Sequence, residues 1–180
     1  LADLGCGKAP LLGAYRAHCS SIVLADWANS LHENSLLDVI IDMNVPLTEF
    51  ADGSFDVVLL SDVLEHIREP ALLISEISRI LRPGGRLLLN VPFLYQVHEA
   101  PHDYYRYTRY ALEQFATQSG LEVVELVPLG GWIEVVADLW SKLLARAKLW
   151  VAVSVLHRTV RAFHRTPIGR RFATISGEVF

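Results

Sequence analysis

Glycines at positions 5 and 7, a carboxylate at Asp26 and a histidine-bearing run from His98 to Thr108 are the residues whose types and spacing could do chemistry. Residues 1–4 read as the end of a buried strand, apolar except for Asp3, and Gly5 and Gly7 then let the backbone turn sharply, leaving a surface without side chains. Residues 11–18 read as a helix, so the turn around Cys6 lies where amide N–H groups and a positive helix end converge, the general geometry of a nucleotide-type cofactor site. Asp26 ends the next apolar run, about 20 residues on, where a carboxylate can accept from both hydroxyls of a ribose. It could equally be an N-cap or face solvent. Trp27 offers a flat face for a base, or packing against its own strand.

The same residues exclude other chemistry. A dinucleotide turn needs a third glycine at position 10, where Pro10 stands, and Lys8 is followed by Ala9 and Pro10 rather than Ser or Thr, so a phosphate-binding P-loop is absent. Cys6 and Cys19 give neither a disulfide framework nor a metal spacing. No metal is expected.

The stretch Leu-Ala-Asp-Leu-Gly-Cys-Gly resembles the first motif of the class I S-adenosylmethionine-dependent methyltransferases, in particular a small bacterial type-11-like subgroup. Four further stretches, at 23–26, 54–61, 63–67 and 81–89, match that family in order, and the match extends to about residue 127. Ala9 departs from the pattern, since many members carry a third glycine there. The resemblance implies S-adenosylmethionine as cofactor and S-adenosylhomocysteine as product, held by Asp3, Gly5, Cys6, Gly7, Asp26 and Trp27. It further implies Asp42 near the exocyclic amine of adenine, the Met43 N–H near a ring nitrogen, and Ser61 with Asp62 beside the cofactor's amino-acid group. His66 would brace the adjacent loop. The run His-Asp-Tyr-Tyr-Arg-Tyr-Thr at 102–108 is similar to a signature of bacterial relatives associated with sugar and cell-surface polysaccharide modification, which implies a small-molecule or saccharide hydroxyl as acceptor.

Methyl transfer from a sulfonium needs alignment and exclusion of water more than acid–base chemistry, but a hydroxyl acceptor must still lose its proton. Histidine suits that step near neutral pH. His102, ahead of His98, is the expected base, with Asp103 orienting it and Tyr104, Tyr105 and Arg106 shaping the acceptor pocket. The alternative for these residues is a loop bonded to itself, with Arg106 paired to Asp103.

Alternating apolar runs and helical patterns position these groups. Strands are expected at 21–25, 36–41, 55–60, 86–91 and 122–127, with helices over 70–82 (Leu73, Ile74, Ile77, Ile80 and Leu81 on one stripe) and from Thr108 to a stop at Gly120. Such alternation dictates parallel strands with right-handed crossovers. The expected fold is therefore α/β, a Rossmann-like doubly wound, mostly parallel sheet with helices on both faces, plus a basic helical C-terminal extension. Residues 1–131 form the cofactor-binding core and 132–180 the extension. The closing hairpin strand of the class has only a poor candidate, at 174–180.

With 180 residues and 52% hydrophobic content the chain can build one real core. Its net charge of −4 hides an asymmetry: residues 1–141 carry 8 Lys/Arg against 19 Asp/Glu, whereas 142–180 carry 8 Lys/Arg against Glu178 alone. A basic amphipathic stretch over 139–171 fits peripheral contact with a membrane, docking on the body, or a homodimer. The chain opens on its first strand without Met, so N-terminal residues that cover the cofactor are expected to belong to a longer gene product. Cysteine usage and the lack of a signal peptide favour a cytoplasmic setting. Two other functions compete: a cofactor-binding regulator without turnover, and a nucleic-acid methyltransferase. The second is disfavoured by Ser-Asp-Val-Leu at the end of the fourth strand, so no nucleic-acid partner is expected.

Overall fold

A computed structural model describes residues 1–28, 30 and 35–169. Two compact units divide the chain, residues 1–123 and 124–180.

In the first unit, five parallel strands form one sheet: β1 (Ala2–Leu4), β2 (Val23–Asp26), β3 (Val39–Ile40), β4 (Phe55–Ser61) and β5 (Leu81–Asn90), in the order 3-2-1-4-5. Successive strands run first one way from β1 and then the other, so the carboxyl ends of β1 and β4 flank the point where the order reverses. Ligands settle at such a point. Apolar runs with no alternation explain the central position of β1 and β4, whose Ala2, Leu4, Val58 and Leu60 are completely buried.

Helix α1 (Leu12–Tyr15) is a single turn that tightens into a 3-10 turn at Arg16–His18, shorter than the helix expected over 11–18. Helix α2 (Pro70–Ile80) begins with Pro in its first turn and buries Leu73, Ile74, Ile77 and Ile80, four of the five stripe residues. The fifth, Leu81, already belongs to β5, which starts at once instead of after Pro83-Gly84-Gly85. The irregularity falls opposite, as a register shift between Phe55 and Val57. Helix α3 (Arg109–Gln118) is capped by the Thr108 hydroxyl, which accepts the Ala111 N–H, and stops before Gly120 at φ +71°.

Two strand expectations change. The third strand is only two residues long because the Asp38 carboxylate accepts the Leu24 N–H at 2.9 Å, replacing a backbone partner in the ladder. Residues 121–130 form no strand: the β-branched composition of 122–127 does not act alone, since a strand exists only with a ladder partner.

In the second unit, the helical pattern after residue 132 resolves into α4 (Trp132–Arg146) and α5 (Trp150–His164), broken at Lys148 with φ +59°. The Ser141 hydroxyl and His157 Nε2 lie 2.8 Å apart between them, and His164 sits against Glu134. No helix among the described residues is long and apolar enough to cross a membrane. Positions 174–180, and the last two residues of 139–171, lie outside the described residues.

Candidate cofactor and acceptor site

The turn after β1 is built from two left-handed glycines, Gly5 at φ +70° and Gly7 at φ +51°. A Cβ on Gly5 would collide with the Val63 side chain, so the position is restricted by packing as well as by φ. The amides of this turn are not free, as the sequence had suggested. Gly5 and Cys6 both donate to the Ala25 carbonyl, and Gly7 donates to Asp26 Oδ2 at 2.9 Å. Nor does a helix dipole add much, because α1 spans four residues. The turn is therefore a floor rather than an anion nest, which agrees with the missing pyrophosphate signature.

Asp26 ends β2 and is buried, its Oδ1 accepting the Trp27 N–H at 2.7 Å. Each oxygen of an ionised carboxylate has a second lone pair, so a pair of vicinal hydroxyls can still be bound. Asp3 is also buried and accepts from the Tyr15 hydroxyl; burial raises its pKa above the usual carboxylate value, the Tyr15 hydrogen bond opposes this, and the nearby Asp26 adds to the rise. Asp42 is held below its ordinary value by hydrogen bonds from the Asn44 backbone and side chain. Asp62, at φ +54°, follows β4 and accepts from the Asn90 side chain.

All ten residues expected at the cofactor face one cavity of about 1260 Å³: Asp3, Gly5, Cys6, Gly7, Asp26, Trp27, Asp42, Met43, Ser61 and Asp62. Asn44, Ile67, Arg68 and Tyr95 line it as well and had been given no role, although Asn44, Ile67 and Tyr95 lie in stretches the sequence had singled out. The volume exceeds that of an ordinary small-ligand pocket and leaves room for a second molecule. Five carboxylates, from Asp3, Asp26, Asp42, Asp62 and Glu99, stand against Lys8 and Arg68, a balance that suits a ligand carrying positive charge and opposes a polyanion. S-adenosylmethionine, with its sulfonium, amino group and ribose diol, fits this donor set.

The segment 93–107 forms the opposite wall. It is zipped to the turn after β4: the Tyr104 and Tyr105 N–H groups reach the Glu65 carbonyl, the Tyr105 hydroxyl donates to Arg68 O, and the buried Tyr107 hydroxyl donates to Leu64 O at 2.9 Å. His66 Nδ1 lies 2.7 Å from the His102 carbonyl, the bracing role expected of it.

His98, His102 and Tyr104 line the cavity; Asp103, Tyr105 and Arg106 do not. The Asp103 carboxylate does not orient His102. It accepts the His98 N–H at 2.9 Å, lies 3.2 Å from the His98 ring, and takes two hydrogen bonds from Arg106, which hold it well below the usual carboxylate range. Arg106 spends its remaining donors on the carbonyls of Tyr95, Gln96 and Tyr105. This pair is thus the self-bonded alternative, a brace inside the loop. The His102 ring instead meets the Tyr104 hydroxyl at 3.0 Å and stands edge-on to Trp27, with centroids 5.1 Å apart.

Strand order, glycine turn, terminal carboxylate and motif order are those of the class I S-adenosylmethionine-dependent methyltransferases, which this chain resembles over about half its length. Residues 2–89 match the family model described as a methyltransferase domain. The chain is 28% identical over 151 residues to the ubiquinone biosynthesis O-methyltransferase of Aromatoleum aromaticum, covering 69% of this chain and 64% of that one. It is 31% identical over 100 residues to the Nitrosococcus oceani protein of the same name, covering 46% and 42%. Each relative is thus spanned over less than two thirds of its length. A solved S-adenosylmethionine-dependent methyltransferase from Archaeoglobus fulgidus superposes with a TM-score of 0.56 at 16% identity, over 66% of this chain and 59% of that one, a likeness of fold.

Proposed function

We propose that this chain transfers a methyl group from S-adenosylmethionine to a hydroxyl of a small molecule or sugar. The observation that carries the reading is that the glycine turn, Asp26 and the histidine-bearing loop share a single cavity. The cofactor, when bound, supplies an electrophilic methyl carbon. Asp26 holds the ribose, the Gly5–Gly7 floor lets the ligand lie on backbone, and Asp42 with Met43 borders the adenine. The loop 93–107 keeps water from the acceptor. His102 takes the acceptor's proton, its ring steadied by Trp27 and Tyr104, and Tyr95 and Tyr104 offer aromatic faces to a ring-shaped acceptor. The relatives named as O-methyltransferases support oxygen as the methylated atom. The carboxylate-lined cavity speaks against nucleic acid as acceptor.

Incubation with methyl-labelled S-adenosylmethionine and a panel of hydroxylated glycans and phenols tests this. Acceptor-dependent label transfer and S-adenosylhomocysteine formation are expected. Tight cofactor binding with no turnover on any acceptor favours the regulatory-protein reading instead.

A further inference from the structure

Behind the loop, in the 3-10 turn Leu64–His66 after β4, Glu65 is fully buried, and neither of its carboxylate oxygens has a hydrogen-bond partner among the described residues. A buried carboxylate without partners is costly and calls for a counter-charge. Two imidazoles face it: His66 Nε2 at 3.7 Å and His98 Nε2 at 3.6 Å from Oε1, the two ring nitrogens being 3.2 Å apart. His66 Nδ1 contacts a carbonyl, which only accepts, so its proton is on Nδ1 and Nε2 of the neutral ring carries a lone pair. His98 Nδ1 lies beside the Asp103 carboxylate, without the alignment of a hydrogen bond, and this favours a proton on Nδ1 there too. Two lone pairs and an anionic oxygen then converge on one point. A cation bound at that point would satisfy all three.

The geometry points to a site for one divalent transition-metal ion of the zinc type, ligated by Glu65, His66 and His98. A tetrahedral ion with bonds of about 2.0–2.1 Å has ligand–ligand edges of about 3.4 Å, and the three observed edges, 3.2, 3.6 and 3.7 Å, lie around that value. Two imidazoles and one carboxylate are the donor set of open zinc sites. Magnesium and calcium, which prefer oxygen ligands, are disfavoured. The His102 carbonyl and the Asp103 carboxylate stand behind the two rings in the way outer partners orient ligating histidines. Both histidines also line the cavity, so the fourth coordination position opens toward the acceptor side. The assignment concerns binding alone and stands whether or not the chain turns over.

A chelator-treated sample of the whole chain, titrated with Zn²⁺ by calorimetry and with Co²⁺ by visible absorption, decides it. One equivalent of Zn²⁺ is expected to bind, with a four-coordinate Co²⁺ spectrum free of thiolate bands and a metal-dependent rise in Tm. Glu65→Gln and His98→Ala are each expected to weaken binding at least about tenfold, and Asp103→Asn roughly 10- to 100-fold. His18→Ala, at an exposed histidine, should change nothing. His98 lies in a surface loop, so its variant reports on the site even if Glu65→Gln lowers stability. Absence of one-equivalent uptake, or uptake indifferent to both ligand variants, overturns the assignment and leaves a cluster that shares protons only.

Discussion

Asp26 accepts the Gly7 N–H at 2.9 Å, so the carboxylate expected to hold the ribose also ties the end of β2 to the turn after β1. Binding and architecture are coupled through one side chain. Asp26→Asn replaces one acceptor oxygen with an amide that faces an N–H donor. Loss of a charge-assisted hydrogen bond corresponds to about 1.5–3 kcal/mol, so the Kd for S-adenosylhomocysteine should rise roughly 10- to 100-fold, with a lowered Tm. Calorimetry with thermal melting checks both; an unchanged Kd removes Asp26 from the ribose role.

Gly5 is fixed by φ and by Val63 together, and a double-mutant cycle separates the two. Gly5→Ala should destabilise by about 3 kcal/mol, of which about 1–2 is the left-handed backbone and the rest the collision with Val63. In a Val63→Ala background the second part disappears, so the two changes are non-additive in denaturant unfolding. Strict additivity would mean that Val63 does not restrict the turn.

These turn residues were legible in the sequence because glycine, strand-end carboxylate and motif order are local signals. The parallel sheet and α2 followed from hydrophobic patterning. The loop's internal wiring was not legible: Asp103 could face His98 or His102 equally well by spacing, and only the fold places Arg106 against it. Glu65 also escaped notice, since nothing local distinguishes a carboxylate sealed under a loop from one in solvent. The expectation at 122–127 failed because strand composition does not supply a pairing partner.

The irregular stretch between β3 and β4 is held by a charged clamp. Glu76 accepts the Leu47 N–H and pairs with Arg79, which also donates to the carbonyls of Leu47 and Phe50 and pairs with Asp52. The Arg79 hydrogen bonds lower the Glu76 pKa in the folded state. A depressed carboxylate adds stability above its unfolded pKa and loses it as pH falls through the folded one. Wild type should therefore lose stability on acidification below the ordinary carboxylate range more steeply than Glu76→Gln, measured by urea unfolding across pH. Arg79→Met should cost about 2 kcal/mol at neutral pH, from the charged hydrogen bonds removed.

His102 and His98 separate by their surroundings, since His98 is engaged with Asp103 and Glu65 whereas His102 borders Trp27 and Tyr104. His102→Ala is expected to lower kcat about 100-fold or more while leaving the Kd for S-adenosylhomocysteine nearly unchanged. Rapid-quench turnover with any accepted hydroxyl compound checks this, and an unaltered kcat assigns the proton transfer elsewhere.

The central claim is that the cavity between the glycine turn and the loop 93–107 holds an adenosyl cofactor. Isothermal titration of the chain with S-adenosylhomocysteine and S-adenosylmethionine tests it most directly. One molecule should bind per chain, with competition between the two ligands and loss of affinity in Asp26→Asn; no detectable association of either ligand with the folded chain would contradict an adenosyl-binding cavity.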